Sequence, residues 1–111
     1  MYSIAIHGGA GTITPASMTP ELEKAYKNAL SESIDEAYSI LETGASALDA
    51  VEQAVLLLEN VPLFNAGKGS VFTKDGRHEM DAAIMCGKTL DAGAVAGVRS
   101  IRNPVVLART I

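Results

Sequence analysis

Tryptophan is absent from this sequence, phenylalanine occurs twice and cysteine once. The lone Cys86 rules out an internal disulfide, and its neighbours Ile84 and Met85 predict a small buried hydrophobe rather than a nucleophile. No apolar run is long enough to cross a bilayer, and the N-terminus opens into strand-like sequence without the basic and apolar regions of a secretion signal. The expectation is a cytoplasmic protein with no membrane partner. Charge of neither sign collects along the chain: nine Lys and Arg against thirteen Asp and Glu are scattered, which argues against nucleic acid as a partner. His7 and His78 have no companions at ligand spacing, so a zinc-type centre is unsupported.

What is present fits one soluble domain. The 111 residues are 48% hydrophobic, with a net charge of -4, and a chain of this size can hide about two-thirds of its unfolded surface. Tyr2 to His7 alternates with β-branched residues and ends at Gly8-Gly9, which predicts a strand entering a glycine loop, His7 to Thr12. Such a loop can bind an oxygen anion or let another backbone pass close by. It lacks dinucleotide-fingerprint spacing, and no helix opens after it.

Thr19-Pro20 reads as an N-cap with proline at the first helical position. Apolar residues from Leu22 to Leu41 then recur at three- and four-residue steps up to Gly44. Ser46 can cap a second helix whose stripe of Leu48, Val51, Ala54, Val55 and Leu58 is widened by Leu56 and Leu57, which predicts a helix sandwiched between neighbours. Ser70 to Thr73 and His78 to Met85 are strand candidates joined by a turn at Lys74-Asp75-Gly76. Gly93 to Val98 forms a third candidate, its small residues permitting close packing. Asn103-Pro104 repeats the cap-plus-proline signature, and the helix it opens meets the last residue after about two turns, with no capping glycine. Two long amphipathic helices and part of a third outnumber the cover that so few strands give, which predicts a missing partner: more chain, another subunit, or both.

Between the second helix and the strands lies Asn60-Val61-Pro62-Leu63-Phe64-Asn65-Ala66-Gly67-Lys68-Gly69-Ser70. Pro62, Gly67 and Gly69 permit sharp turns, while Leu63, Phe64 and Asn65 occupy places where an ordinary connector carries small polar residues. On residue types alone, a tight turn plugging the end of a core accounts for this stretch better than a binding loop does. Three further patterns yield to plainer readings. Ala82 to Thr89 meets a relaxed phosphate-loop pattern, but buried strand precedes the lysine and a turn follows it. Glu79 and Asp81 share a strand face, where such pairs ordinarily face solvent or bond to a loop. Thr12 follows Gly11, yet cleavage there would detach the strand that anchors the glycine loop, so a turn hydroxyl is the better reading.

Taken together, Ile6-His7-Gly8-Gly9-Ala10-Gly11, Pro62 to Gly69, Glu79-Met80-Asp81-Ala82, and Gly93 to Val98 with Asn103-Pro104 resemble one family along essentially the whole chain. It is the plant-type L-asparaginase and isoaspartyl peptidase family of N-terminal-nucleophile hydrolases. The resemblance implies an α/β (α+β) fold, an αββα sandwich only partly present, with residues 1–111 forming a single incomplete domain at the start of an α chain. It implies a self-cleaving precursor, a β chain carrying the N-terminal threonine nucleophile, an (αβ)2 assembly, and hydrolysis of asparagine or β-aspartyl dipeptides. No catalytic residue would lie in this chain, and no catalytic cofactor is implied. The implied supporting residues are Asn65, near the nucleophile, and Gly8, Gly9 and Gly11, near the scissile bond. A structural sodium ion is implied on the main-chain oxygens of Leu58, Glu59, Val61, Phe64, Ala66 and Lys68, where hard neutral oxygens suit a hard cation. Lys68 departs from the pattern by placing a cationic side chain where an apolar one is often found. The competing reading is a non-catalytic fragment or scaffold that holds an anion at the glycine loop and a cation at the central loop.

Overall fold

The computed structural model describes residues 1–9 and 14–111, so the expectations for Gly11 and Thr12 fall outside the described residues. Three helices and a two-stranded antiparallel sheet are found among them: α1 (Pro20–Glu42), α2 (Ala47–Glu59), β1 (Met80–Met85), β2 (Ala92–Val98) and α3 (Pro104–Thr110). This is an α+β arrangement.

The helices form where their signals lie. Thr19 Oγ1 accepts from Leu22 N at 3.1 Å, Pro20 opens α1, and Gly44 follows its end at φ 86°, a left-handed position suited to glycine. Ser46 and Asp49 exchange bonds across the first turn of α2, each at 3.1 Å, forming a capping box. The two helices approach closely over small residues: Ser33, fully buried, donates its hydroxyl to Ala54 O at 2.9 Å. Ala37, Leu41, Ala50 and Ala54 form the core there. α2 touches α1 on one side and α3 and β1 on the other, as the wide stripe predicts, although Val51 and Val55 remain exposed.

The first predicted strand does not form. Among the described residues no strand pairs with Tyr2 to His7, and a ladder needs a partner to take up its alternate N–H and C=O groups. The segment instead packs Ile4 and Ile6 against the α1/α2 core. The predicted Ser70–Thr73 strand is reduced to a single bridge, Phe72 to His78, although the Asp75-Gly76 turn forms, with Gly76 at φ 74° and its N–H donating to Thr73 O at 2.9 Å. β1 starts at Met80, two residues later than predicted, and its register with β2 slips between Met80 and Ala82. Asp81 sits at that slip and accepts from Gly97 N at 2.9 Å, while Gly97 takes φ 65°. β2 lies close under α3, since a Cβ at Gly93 would collide with Ala108 O.

Cys86 corrects the burial expectation. It begins the connection from β1 to β2 and is partly exposed, not buried. The Thr89 hydroxyl, then the Thr89 and Lys88 backbone, hold its thiol below the usual range. The relaxed phosphate-loop pattern is strand followed by this connection, with Cys86 N donating to Asp91 O at 2.9 Å.

Candidate functional site

The central loop leaves α2 at Asn60 and folds onto itself. Ala66 N donates to Phe64 O at 2.8 Å, Gly69 N to Ala66 O at 3.0 Å and Ser70 N to Gly67 O at 3.1 Å, closing one short 3-10 turn over Gly67–Gly69. Both glycines are required by contact. A Cβ at Gly67, where φ is 50°, would run into Glu59 O and lie 2.7 Å from Glu59 Cβ; one at Gly69 would run into Phe64 O and lie 2.8 Å from Pro62 C. The loop therefore stacks its second half directly on the carbonyls of its first half. Phe64 is buried and meets Tyr26 of α1 edge to face, with ring centroids 5.5 Å apart.

Asn65, exposed beside Phe64, accepts from Val71 N through its side-chain oxygen at 3.0 Å, which leaves its NH2 available as a donor. The glycine loop reaches the same place. A Cβ at Gly8 would lie 2.9 Å from Phe64 Cε1 and 3.3 Å from Leu30 Cδ2, so its contact is with the central loop and α1. Gly9 has φ 104° with open space around it, and its N–H donates to His7 Nδ1 at 3.0 Å. Gly8, Gly9 and Asn65, predicted from stretches more than fifty residues apart, line one open groove of about 750 Å³ floored by Tyr26, Leu30 and Phe64. His7, the last residue of the predicted first strand, is exposed.

Of the six residues implied for a cation, Leu58, Glu59 and Phe64 are buried, Val61 and Ala66 half-buried, and Lys68 exposed. The Glu59 and Phe64 carbonyl oxygens lie directly against Gly67 and Gly69. A side-chain role at Glu59 was not foreseen from sequence. The residue is 3% exposed, and its carboxylate accepts from Val105 N at 3.3 Å and Asn103 Nδ2 at 3.4 Å, while Asn103 also donates to Asn60 Oδ1 at 3.0 Å. Asn103 makes no side-chain cap of its own, so Glu59 supplies the acceptor at the start of α3. Burial pushes the Glu59 carboxyl above its ordinary range, and the Val105 and Asn103 bonds oppose that shift. A buried acceptor 46 residues from its donor leaves no periodic or spacing signal.

Glu79 and Asp81 do not act as a pair in this arrangement. Glu79 binds Arg99 through Nη2 at 2.6 Å and Nε at 3.1 Å, and Asp81 serves the slip in the sheet. No cluster of three or more His, Cys, Asp or Glu that could hold a metal occurs among the described residues. A cation here would depend on main-chain oxygens.

The α+β arrangement and its paired glycine and asparagine loops belong to a chain whose residues 1–111 match the family model described as Asparaginase. The chain is a member of that family. It is 57% identical to an isoaspartyl peptidase of Salmonella typhimurium over 108 residues, covering 97% of this chain and 34% of that protein. Over 111 residues it is 53% identical to a plant-type L-asparaginase of Pyrococcus furiosus, covering 100% of this chain and 35% of that protein. An isoaspartyl peptidase of Escherichia coli is 56% identical over 108 residues, 97% of this chain and 34% of that protein. The chain thus spans about a third of the length of these relatives.

Proposed function

We propose that this chain is the N-terminal part of the α chain of an N-terminal-nucleophile hydrolase that cleaves the side-chain amide of L-asparagine and β-aspartyl dipeptides. The family match and the relatives' names support the reaction class. The observation that carries the assignment of roles is the groove where Gly8 and Gly9 meet Asn65. In this reading the complete fold is an αββα sandwich, the nucleophile is a threonine released by self-cleavage, and the active assembly is (αβ)2.

The chemistry is acyl transfer to water. A threonine hydroxyl, with its own amine as base, attacks the amide carbon, and the amine or ammonia leaves before water releases aspartate. This chain's residues position that machinery. Asn65, its oxygen anchored by Val71 N, directs its NH2 into the groove as a hydrogen-bond donor for the nucleophile. Gly8 and Gly9 let the precursor backbone pass close to the Phe64 edge. Main-chain oxygens of Leu58, Glu59, Val61, Phe64, Ala66 and Lys68 would hold a structural sodium ion, which would stiffen the loop without taking part in the reaction. The loop fits such an ion in two respects. Neutral carbonyl donors suit a hard monovalent cation, and only glycine at 67 and 69 lets the backbone close on the Glu59 and Phe64 carbonyls.

Native and denaturing mass spectrometry of the purified protein, followed by an assay of aspartate released from a β-aspartyl dipeptide, tests the reading. A second polypeptide beginning with threonine, in a complex with two of each chain that releases aspartate, is the expected outcome. A single species of this chain's mass without activity would instead establish the scaffold reading.

A further inference from the structure

Sharing no residue with the groove, a second open cavity of about 480 Å³ lies between the central loop, His78 and the segment joining β2 to α3. Its lining gathers Lys68, Arg99, Arg102 and His78. Scattered in sequence, three of the chain's nine Lys and Arg meet here, in a molecule whose net charge is -4. The fold has concentrated positive charge that composition disperses.

The lining also carries neutral donors and little opposing charge. Ser70 is 8% exposed and its Oγ lies 3.1 Å from His78 Nδ1, so the hydroxyl and the imidazole are fixed relative to each other at the cavity wall. Glu59 is the one carboxylate in the lining, and its oxygens are committed to Val105 N and Asn103 Nδ2 on the α3 side. Arg99 is held by Glu79 at 2.6 Å, which fixes its guanidinium while neutralising part of its charge. Lys68 and Arg102 enter no ion pair among the described residues.

We propose that this cavity binds a small oxyanion of the phosphate class, clasped between the Lys68 ammonium and the Arg102 guanidinium and hydrogen-bonded by the Ser70–His78 pair. A guanidinium matches two oxygens of a tetrahedral anion at once, an ammonium supplies a point charge, and a fixed hydroxyl adds direction. The small size of the cavity selects a free anion or a phosphomonoester over a polyanion, which would need a continuous basic face. The site also accounts for the charge at Lys68, an exposed residue in the lining of this cavity. It uses none of the groove residues and stands whether or not the hydrolase reading holds.

The proposal is tested by titrating the intact protein with inorganic phosphate and, separately, with a phosphomonoester, at fixed sodium concentration and ionic strength, read by calorimetry and by thermal midpoint. Saturable binding of one or both is expected, with the stronger of the two identifying the source of the anion. Lys68→Ala with Arg102→Ala, both surface positions, is expected to weaken binding at least about tenfold while leaving the circular dichroism spectrum unchanged. Lys24→Ala with Lys74→Ala removes the same charge elsewhere and is expected to leave binding as it was. Ser70→Ala is expected to weaken it a few-fold. A titration that never saturates, an equal response to chloride, or equal weakening in both double variants would overturn the proposal.

Discussion

The two loops that meet at the groove are both built on glycine, and they use it in opposite ways. In the central loop, Gly67 and Gly69 exist because backbone is pressed on backbone. Beside it, Gly9 has open space and only its φ of 104° calls for glycine, while Gly8 faces side-chain atoms of Phe64 and Leu30 and no backbone. One loop is held by its own main chain, the other leans on its neighbours. At the groove the central loop is therefore the rigid side, and the contacts of Gly8 and Gly9 are the side that can yield.

The largest test of that difference is Gly69→Ala. Its new methyl would strike Phe64 O and lie 2.9 Å from Pro62 O, and carbonyls inside a closed turn have nowhere to go. A loss of about 3 kcal/mol is expected, read as a lower urea midpoint. A loss well under about 1 kcal/mol would show that the central loop yields, and the distinction between the loops would fall. Asn65→Ala probes what the rigidity is for. In the assembled hydrolase proposed above, loss of the anchored amide should lower kcat for aspartate release by up to about 100-fold, the cost of a misplaced reacting group, with KM changed much less. A raised KM with kcat unchanged would point to a part in substrate binding instead.

Glu59→Ala comes next, because the rigid side also holds α3. Removing the carboxylate strands the buried Val105 N–H and leaves a void beside the fully buried Pro104 and Val105, so a loss of about 2 kcal/mol is expected. Amide exchange should rise at α3 more than at α1. Uniform acceleration would mean that Glu59 is a general core residue with no particular tie to α3. Gly8→Ala should cost about 1 kcal/mol, since its methyl meets the Phe64 edge at 2.9 Å and Leu30 at 3.3 Å, both side-chain atoms with no backbone among the nearest contacts. A cost matching Gly69→Ala would make the two loops alike.

The same contrast marks what could be read from the sequence. Helix ends were legible because caps, prolines and the C′ glycine act within four residues: Thr19, Ser46, Gly44 and Pro104 all appear where those signals put them. Strands need partners, and pairing is non-local. Tyr2 to His7 carries the strand pattern but spends its isoleucines on the helix core. Asn65 and the glycines of both loops were singled out from residue type and resemblance, yet their meeting at Phe64 depends on α1 packing that no spacing encodes. Glu59 and the gathering of Lys68, Arg99 and Arg102 are long-range in the same sense. Cys86 misled because apolar neighbours in a strand say nothing about the connection that follows it.

The smallest expected effect lies on the α1 wall of the groove. Lys27 and Glu23 line the groove on α1, 2.8 Å apart at four-residue spacing, and both are well exposed. Their mutual hydrogen bond, then their charge attraction, lowers the Glu23 pKa from 4.5 and raises that of Lys27. A lowered carboxylate pKa means the unfolded chain binds the proton more readily, so any stabilisation is present above pH 4.5 and is lost as pH falls through the folded value. Solvent screening makes that contribution small. Lys27→Ala should therefore leave the urea midpoint at pH 7 unresolved from the parent, and salt should not separate the two proteins. If the variant instead unfolds clearly earlier at pH 7, the Glu23–Lys27 pair is a structural element of the α1 wall in its own right.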